Sequence, residues 1–243
     1  MLILVLTQCL VYATLPSPGC FEFNFDDRFY LMIAATALLT AGGYAINDYF
    51  YTKIDVINKP QKVVLGKYVS RRAAMILHII MTAIGVLIGF YLSWRLGFFN
   101  MAVATFLLLY SSTLKHRLII GNLVIASLMG LVVFMVWLFD RGLHFNYVLF
   151  YSGFAFLTGW IREIVKDMED MEGDQYFGSR TVPIVWGLPQ AKRIVILLAV
   201  TLLILLAGFV IYAWQIQNYV LAGYLLVFIG AITVHFIKKM TKA

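Results

Sequence analysis

Apolar residues run along this chain in long blocks, such as LMIAATALLTAGGYAI, broken by short polar stretches. Eight blocks stand out, at residues 1–15, 29–47, 73–93, 97–112, 119–139, 145–161, 191–213 and 218–237. Most reach or approach the roughly 20 residues a helix needs to cross a hydrocarbon core. None alternates with a period of two, so the pattern predicts helices rather than a barrel. The fold class expected is all-α, a polytopic transmembrane bundle of about eight spans, built as one membrane-embedded domain over residues 1–243. The first block, followed by LPSPGC, reads as a transmembrane helix whose start is missing in preference to a signal-peptide core, because no basic segment precedes it.

Composition agrees with that reading. The chain is 62% hydrophobic and 13% charged, against about 45–50% and 25% in soluble domains. Cys9 and Cys20 form no CxxC or other metal spacing and imply no disulfide framework. The net charge of +7 would suit nucleic acid, but its distribution does not. Of the 19 basic residues, all but Arg28, Arg95 and Arg141 lie in the connections after the second, fourth and sixth blocks or in the C-terminal tail. The positive-inside rule places those connections in the cytoplasm. The expectation is a multi-pass protein of the inner or plasma membrane, with membrane lipids as neighbours and no nucleic-acid partner.

Acids do little to orient a membrane protein, so their clustering needs another cause. Eight of the 12 fall in two segments on the cytoplasmic side: Asp48 and Asp55, then Glu163, Asp167, Glu169, Asp170, Glu172 and Asp174. Asp48, Tyr51 and Asp55 match Asp167, Asp170 and Asp174 at a constant offset of 119 residues. The shared pattern is D-x2-(Y/D)-x3-D, once after each second helix of a four-span half, which predicts two pseudo-repeated halves. On a helix, positions i, i+3 and i+7 share a face, so each segment is expected to project a column of oxygen ligands. Two facing acidic columns repel unless a cation lies between them. Hard divalent ions, Mg²⁺ above all, take carboxylate oxygens and share them with substrate phosphates. A solvated loop charge accounts equally well for any one of these carboxylates, but not for the duplicated spacing. Glu163, Glu169 and Glu172 fall off the spacing and are read as solvated charges.

NDYFYTKIDVINKP and REIVKDMEDMEGDQYFGSRTVPIVWG together resemble the two aspartate-rich motifs of the UbiA-type intramembrane prenyltransferases. The family's first motif is usually N-D-x-x-D-x-x-x-D; here Asn47, Asp48 and Asp55 match, and Tyr51 stands at the middle Asp. The second motif, Asp167, Asp170 and Asp174, is complete. Further matches are Asn58-Lys59-Pro60 with Gly66, Tyr110…Lys115…Gly121-Asn122, and Gly178…Thr181…Pro183. Within the family, the second motif is most similar to geranylgeranylglycerol-phosphate geranylgeranyltransferases. Chlorophyll synthases and menaquinone-pathway enzymes are the relatives to distinguish. The family usually has nine helices and a basic segment ahead of the first, so this chain reads either as clipped at both ends or as a short relative.

The resemblance implies an enzyme that transfers a long prenyl group, geranylgeranyl in first place, from its diphosphate donor to a polar lipid acceptor such as geranylgeranylglyceryl phosphate. An aromatic, quinone-precursor acceptor is the alternative, and a cation-coupled transporter the alternative of another class. The cofactor implied is Mg²⁺, held by the catalytic Asp48, Asp55, Asp167, Asp170 and Asp174. Diphosphate binders implied are Asn47, Lys53, Lys62, Lys67, Lys115, Arg162 and Lys166. Tyr44, Tyr110 and Trp160 are candidates to face the isoprenoid, with ordinary packing or interfacial belting as the commoner reading of such rings. His78, mid-membrane, is expected neutral and hydrogen-bonded, and Gly42-Gly43 is expected to permit close helix packing.

Overall fold

The structure is a computed structural model that describes residues 2–14, 25–58, 60, 61, 63, 65, 66, 68–142, 145–215, 217 and 219–230. Its helices are α1 (Leu2–Thr14), α2 (Asp27–Asn58), α3 (Arg71–Leu92), α4 (Trp94–Leu109), α5 (Ile120–Phe139), α6 (Phe145–Glu169), α7 (Met171–Tyr176), α8 (Val182–Trp186), α9 (Leu188–Gln215) and α10 (Tyr219–Tyr224). Two π-helical segments, Tyr110–Leu114 and Leu225–Gly230, continue α4 and α10. Among the described residues there is no strand, only an isolated bridge between Leu65 and Val69.

Six helices are long and apolar enough to cross a membrane: α2, α3, α4 with its π extension, α5, α6 and α9. They coincide with the second to seventh predicted spans. The first predicted span is a 13-residue helix, about 20 Å long and short of the roughly 30 Å of a hydrocarbon core. The eighth is described only to Gly230, and its residues 231–237 lie outside the described residues.

Buried polar side chains tie the helices of the bundle together. Gln8 of α1 is fully buried and donates to Thr36 Oγ1 at 3.1 Å and to the Val132 carbonyl at 3.2 Å, tying α1 to α2 and α5. Such bonds are the main polar glue where lipid offers no partner. His78 Nδ1 lies 2.9 Å from the Gly42 carbonyl and donates to it. Gly42 permits that approach, because a Cβ there would stand 2.9 Å from Thr82 Cγ2. The α3–α4 turn is held by Ser93, whose side chain caps α4, and by Asn100, which donates to the Gly85 carbonyl at 2.9 Å.

Helix length positions the site. At 1.5 Å per residue the 32 residues of α2 span about 48 Å. With its first turns at the Arg28 end, α2 therefore carries residues 47–58 past the apolar layer as an uninterrupted helix. Arg28 donates to the Leu92 carbonyl, and Arg95 and Arg141 lie over Trp94 and Trp137. All three sit at the opposite end from the acidic segments.

Candidate active site

Three connections meet at one end of the bundle. Asn58, the last residue of α2, donates from Nδ2 to the Asp170 carbonyl at 3.0 Å. Its Oδ1 accepts from the Gly173 amide at 2.7 Å. His116, between α4 and α5, lies 2.9 Å from Tyr51 Oη through Nε2 and 2.7 Å from Ser179 Oγ through Nδ1. The Arg180 amide donates to the His116 carbonyl at 3.0 Å. The two acidic segments and the basic connection after α4 therefore form one structure. That same-side placement is what the charge distribution requires.

The first motif stays helical, and its inward face is Asn47, Tyr51, Asp55 and Asn58. Tyr51 is 1% exposed. Asp48, one step round the helix, is exposed, and Lys53 is exposed at the end of α2. The second motif departs from the expected column. α6 ends at Glu169, and Asp170 (φ −97°, ψ 9°) breaks the helix before α7 begins. The break lets Gly173 press on Asn58, where a Cβ would stand 2.5 Å from Oδ1. Asp167 accepts from Asn122 Nδ2 at 2.8 Å, and Asp174 is buried.

Electrostatics link the motifs. Burial pushes the Asp174 carboxyl up, Lys115 and Lys166 pull it down, and Asp170 and Asp55 raise it again. Asp55 of the first motif thus lies within reach of Asp174 of the second. Burial also pushes Lys115 down, to about 8, with Lys166 acting the same way and Asp55, Asp174 and Glu163 opposing. His116 is lowered by burial and by Lys115, so it is neutral at pH 7. Its single ring proton serves either Tyr51 or Ser179, never both.

Lys115 is the best placed of the expected diphosphate binders. Its Nζ lies 3.1 Å from the Tyr51 ring centroid and donates to Asn47 Oδ1 at 3.4 Å. Lys166 Nζ lies 3.8 Å from Glu163 Oε2. Arg162 is 60% exposed and paired to Glu163 at 2.8 Å. Lys62 and Lys67 lie outside the described residues.

One expectation is corrected. Glu163 is 4% exposed, not a solvated charge, because Arg162 and Lys166 of its own helix neutralise it. Glu169 and Glu172 are exposed as expected. Of the rings proposed to face the isoprenoid, Tyr44 is 55% exposed on the outside and Tyr110 is buried.

The donor set suits a hard cation chemically: carboxylate oxygens from both motifs, with Asp55 near Asp174 and Asp167 near Asn122. Among the described residues, no three His, Cys, Asp or Glu side chains converge on one point. Asp55, Asp167, Asp170 and Asp174 are the motif carboxylates that could hold an ion. His116, Ser179 and Asn58 were not predicted as site residues. For His116 the available signal was its place beside Lys115 in a short polar break between apolar blocks.

The UbiA prenyltransferase family model matches residues 5–243, and the chain belongs to that family. It is therefore an integral membrane protein. It is 32% identical over 168 residues to a protein of Methanosphaera stadtmanae and 35% identical over 172 residues to one of Methanothermobacter thermautotrophicus. Both are named digeranylgeranylglyceryl phosphate synthase. The matches cover 69% and 70% of this chain but only 61% and 58% of those relatives. A UbiA homologue from Archaeoglobus fulgidus, bound to DMAPP and Mg²⁺, superposes with a TM-score of 0.74 at 18% identity, over 98% of this chain and 84% of the other. That likeness establishes the fold.

Proposed function

We propose that this chain transfers a geranylgeranyl group from its diphosphate to a polar lipid acceptor, geranylgeranylglyceryl phosphate, in a Mg²⁺-dependent reaction. The observation that carries the reading is the bridge from Asn58 to Asp170 and Gly173, which fastens both acidic motifs into one site. The names of the Methanosphaera and Methanothermobacter relatives support the acceptor. The DMAPP and Mg²⁺ bound to the Archaeoglobus homologue support the donor class and the ion. The motifs lie at one end of the bundle, which suits a headgroup at the membrane edge with its tail in lipid. The excess of lysine and arginine at that end supports a site on the cytoplasmic face.

Asp55, Asp167, Asp170 and Asp174 are the proposed ligands for Mg²⁺, with Asp48 at the rim. The bound ion would supply positive charge to the leaving diphosphate. Lys115 and Lys166 add theirs, and preorganised charge favours the bond-breaking state over the ground state. Asn122 fixes the Asp167 carboxylate, and Asn58 fixes the backbone of the second motif. As the C–O bond of the donor breaks, an allylic cation forms, and the acceptor hydroxyl captures it with loss of a proton. Such a cation needs a dry pocket, because water would quench it.

The test is prenyl transfer in membranes with labelled geranylgeranyl diphosphate, Mg²⁺ and three acceptors: geranylgeranylglyceryl phosphate, dihydroxynaphthoate and 4-hydroxybenzoate. A lipid product that disappears with EDTA and with Asp170→Ala is expected. Labelled aromatic product alone would move the acceptor to the quinone class.

A further inference from the structure

Tyr51 stands where the repeated spacing carries Asp170 in the second motif, so the first motif has an aromatic face in place of a third carboxylate. That face is occupied. The Lys115 ammonium lies 3.1 Å from the ring centroid, in cation–π contact, and is tethered to Asn47 Oδ1 at 3.4 Å. The ring itself is fixed from behind. It stacks on His116 at 5.2 Å between centroids and 18° between planes. Tyr51 Oη meets His116 Nε2 at 2.9 Å, and Ser179 Oγ meets Nδ1 at 2.7 Å. The Arg180 amide holds the His116 backbone. Ser179 follows Gly178, whose φ of +73° turns the chain after α7. Residues from all three connections thus place one ammonium at the first motif.

The charges around that ammonium are those of the acidic site. Asp55, Asp174 and Glu163 attract it, and it in turn acts on Asp48. Lys166 is the cation that repels it. A divalent ion seated on the first motif would have Asp48 and Asp55 for ligands and a fixed ammonium beside it. Like charges at such separations are costly away from bulk water.

We infer that Lys115 is the resident cation of the first motif, and that this chain binds a prenyl diphosphate with one divalent ion, held by the second motif together with Asp55. Tyr51, His116 and Ser179 are positioning residues for that ammonium. The inference rests on the diphosphate reading given above. The second motif keeps all three of its carboxylates and the Asn122 contact to Asp167, so the ion sits on that side. Lys115 covers the other side of the diphosphate.

The full chain in lipid nanodiscs, with geranylgeranyl S-thiolodiphosphate as a donor that resists ionisation, provides the test. Electron paramagnetic resonance counts Mn²⁺ bound per chain. One Mn²⁺ is expected for the unaltered chain, and two for the double variant Tyr51→Asp with Lys115→Met, which restores the third carboxylate and removes the ammonium. Lys115→Met alone should still bind one Mn²⁺ while its affinity for the analogue falls about tenfold, the weight of one charge-assisted hydrogen bond. Two Mn²⁺ in the unaltered chain would overturn the inference even if the double variant fails to fold. An unchanged affinity in Lys115→Met would overturn it too. Analogue binding that ignores Mn²⁺ altogether would take down the diphosphate reading with it.

Discussion

Asn58 and Gly173 are separated by 115 positions in sequence, yet the Gly173 amide donates to Asn58 Oδ1 at 2.7 Å. The amide of the same side chain donates to the Asp170 carbonyl. One residue therefore satisfies the Gly173 amide at the start of α7 and adds a second donor to the Asp170 carbonyl, which also accepts the Asp174 amide. Gly173→Ala would put a Cβ 2.5 Å from Asn58 Oδ1 and force the motifs apart. Two hydrogen bonds at about 1–1.5 kcal/mol each set the scale. Prenyl transfer should fall about thirty- to a hundredfold in Asn58→Ala, which removes both bonds, and at least as far in Gly173→Ala, which adds the clash. Initial rates in membranes check both. Full activity in Asn58→Ala would mean the second motif holds its own conformation.

Asn122 Nδ2 sits 2.8 Å from Asp167 Oδ2 and acts on the ion only through that carboxylate. Groups that orient a metal ligand are typically worth about 10–100-fold in metal affinity or activity. Asn122→Leu should raise the Mg²⁺ concentration for half-maximal rate about tenfold. The donor KM at saturating Mg²⁺ should change far less. Equal shifts in both would point to a general distortion of α5 against α6 instead.

Sequence periodicity reads the spans well because lipid imposes it. Each helix from α2 to α6, and α9, had to be long and apolar, and each was predicted. That both motifs lie at one end was legible from the distribution of lysines and arginines, and their meeting was legible from the repeated spacing. What failed was local. The i, i+3, i+7 rule assumes an unbroken helix, which holds for Asp48 to Asp55 but not past Asp170. There a bond from a distant side chain, Asn58, outweighs two more residues of helical ladder. Glu163 was misjudged for a similar reason. Its burial depends on Arg162 and Lys166 lying beside it, which the sequence lists but does not orient. Ser179 carries no pattern at all and His116 only its place beside Lys115, since their roles arise from contacts across 63 and 65 residues.

Glu163 provides a check on that reassignment. It is buried, with Arg162 at 2.8 Å and Lys166 at 3.8 Å. Arg162 is largely solvated, which weakens its share. Glu163→Ala should lower detergent-solubilised stability by about 1–2 kcal/mol, less than the cost of stranding a charge in a fully buried pair. Glu163→Gln, which keeps the volume, should lose less. Melting followed by circular dichroism measures both. No loss in either variant would restore the reading of Glu163 as an ordinary surface charge.

Lys115 gives the site a pH dependence whose sign is fixed by its lowered pKa. Burial and Lys166 bring the ammonium down from its ordinary range to about 8. In the folded chain it is charged at pH 6.5 and loses its proton as pH rises through about 8. Affinity for a prenyl diphosphate analogue should therefore fall between pH 7 and 9.5. His116, lowered by burial and by Lys115, is already neutral across that range and contributes no slope. Stability moves the other way. Between the folded and unfolded pKa values the unfolded chain binds more protons, so the fold gains stability from this group as pH rises through that window. Weaker binding together with unchanged or higher melting temperature is the expected signature, and simple alkaline unfolding would give the opposite pairing. Lys115→Arg should flatten the affinity profile, since a guanidinium stays charged throughout. A profile in Lys115→Arg that still bends near pH 8 would assign the slope to another group.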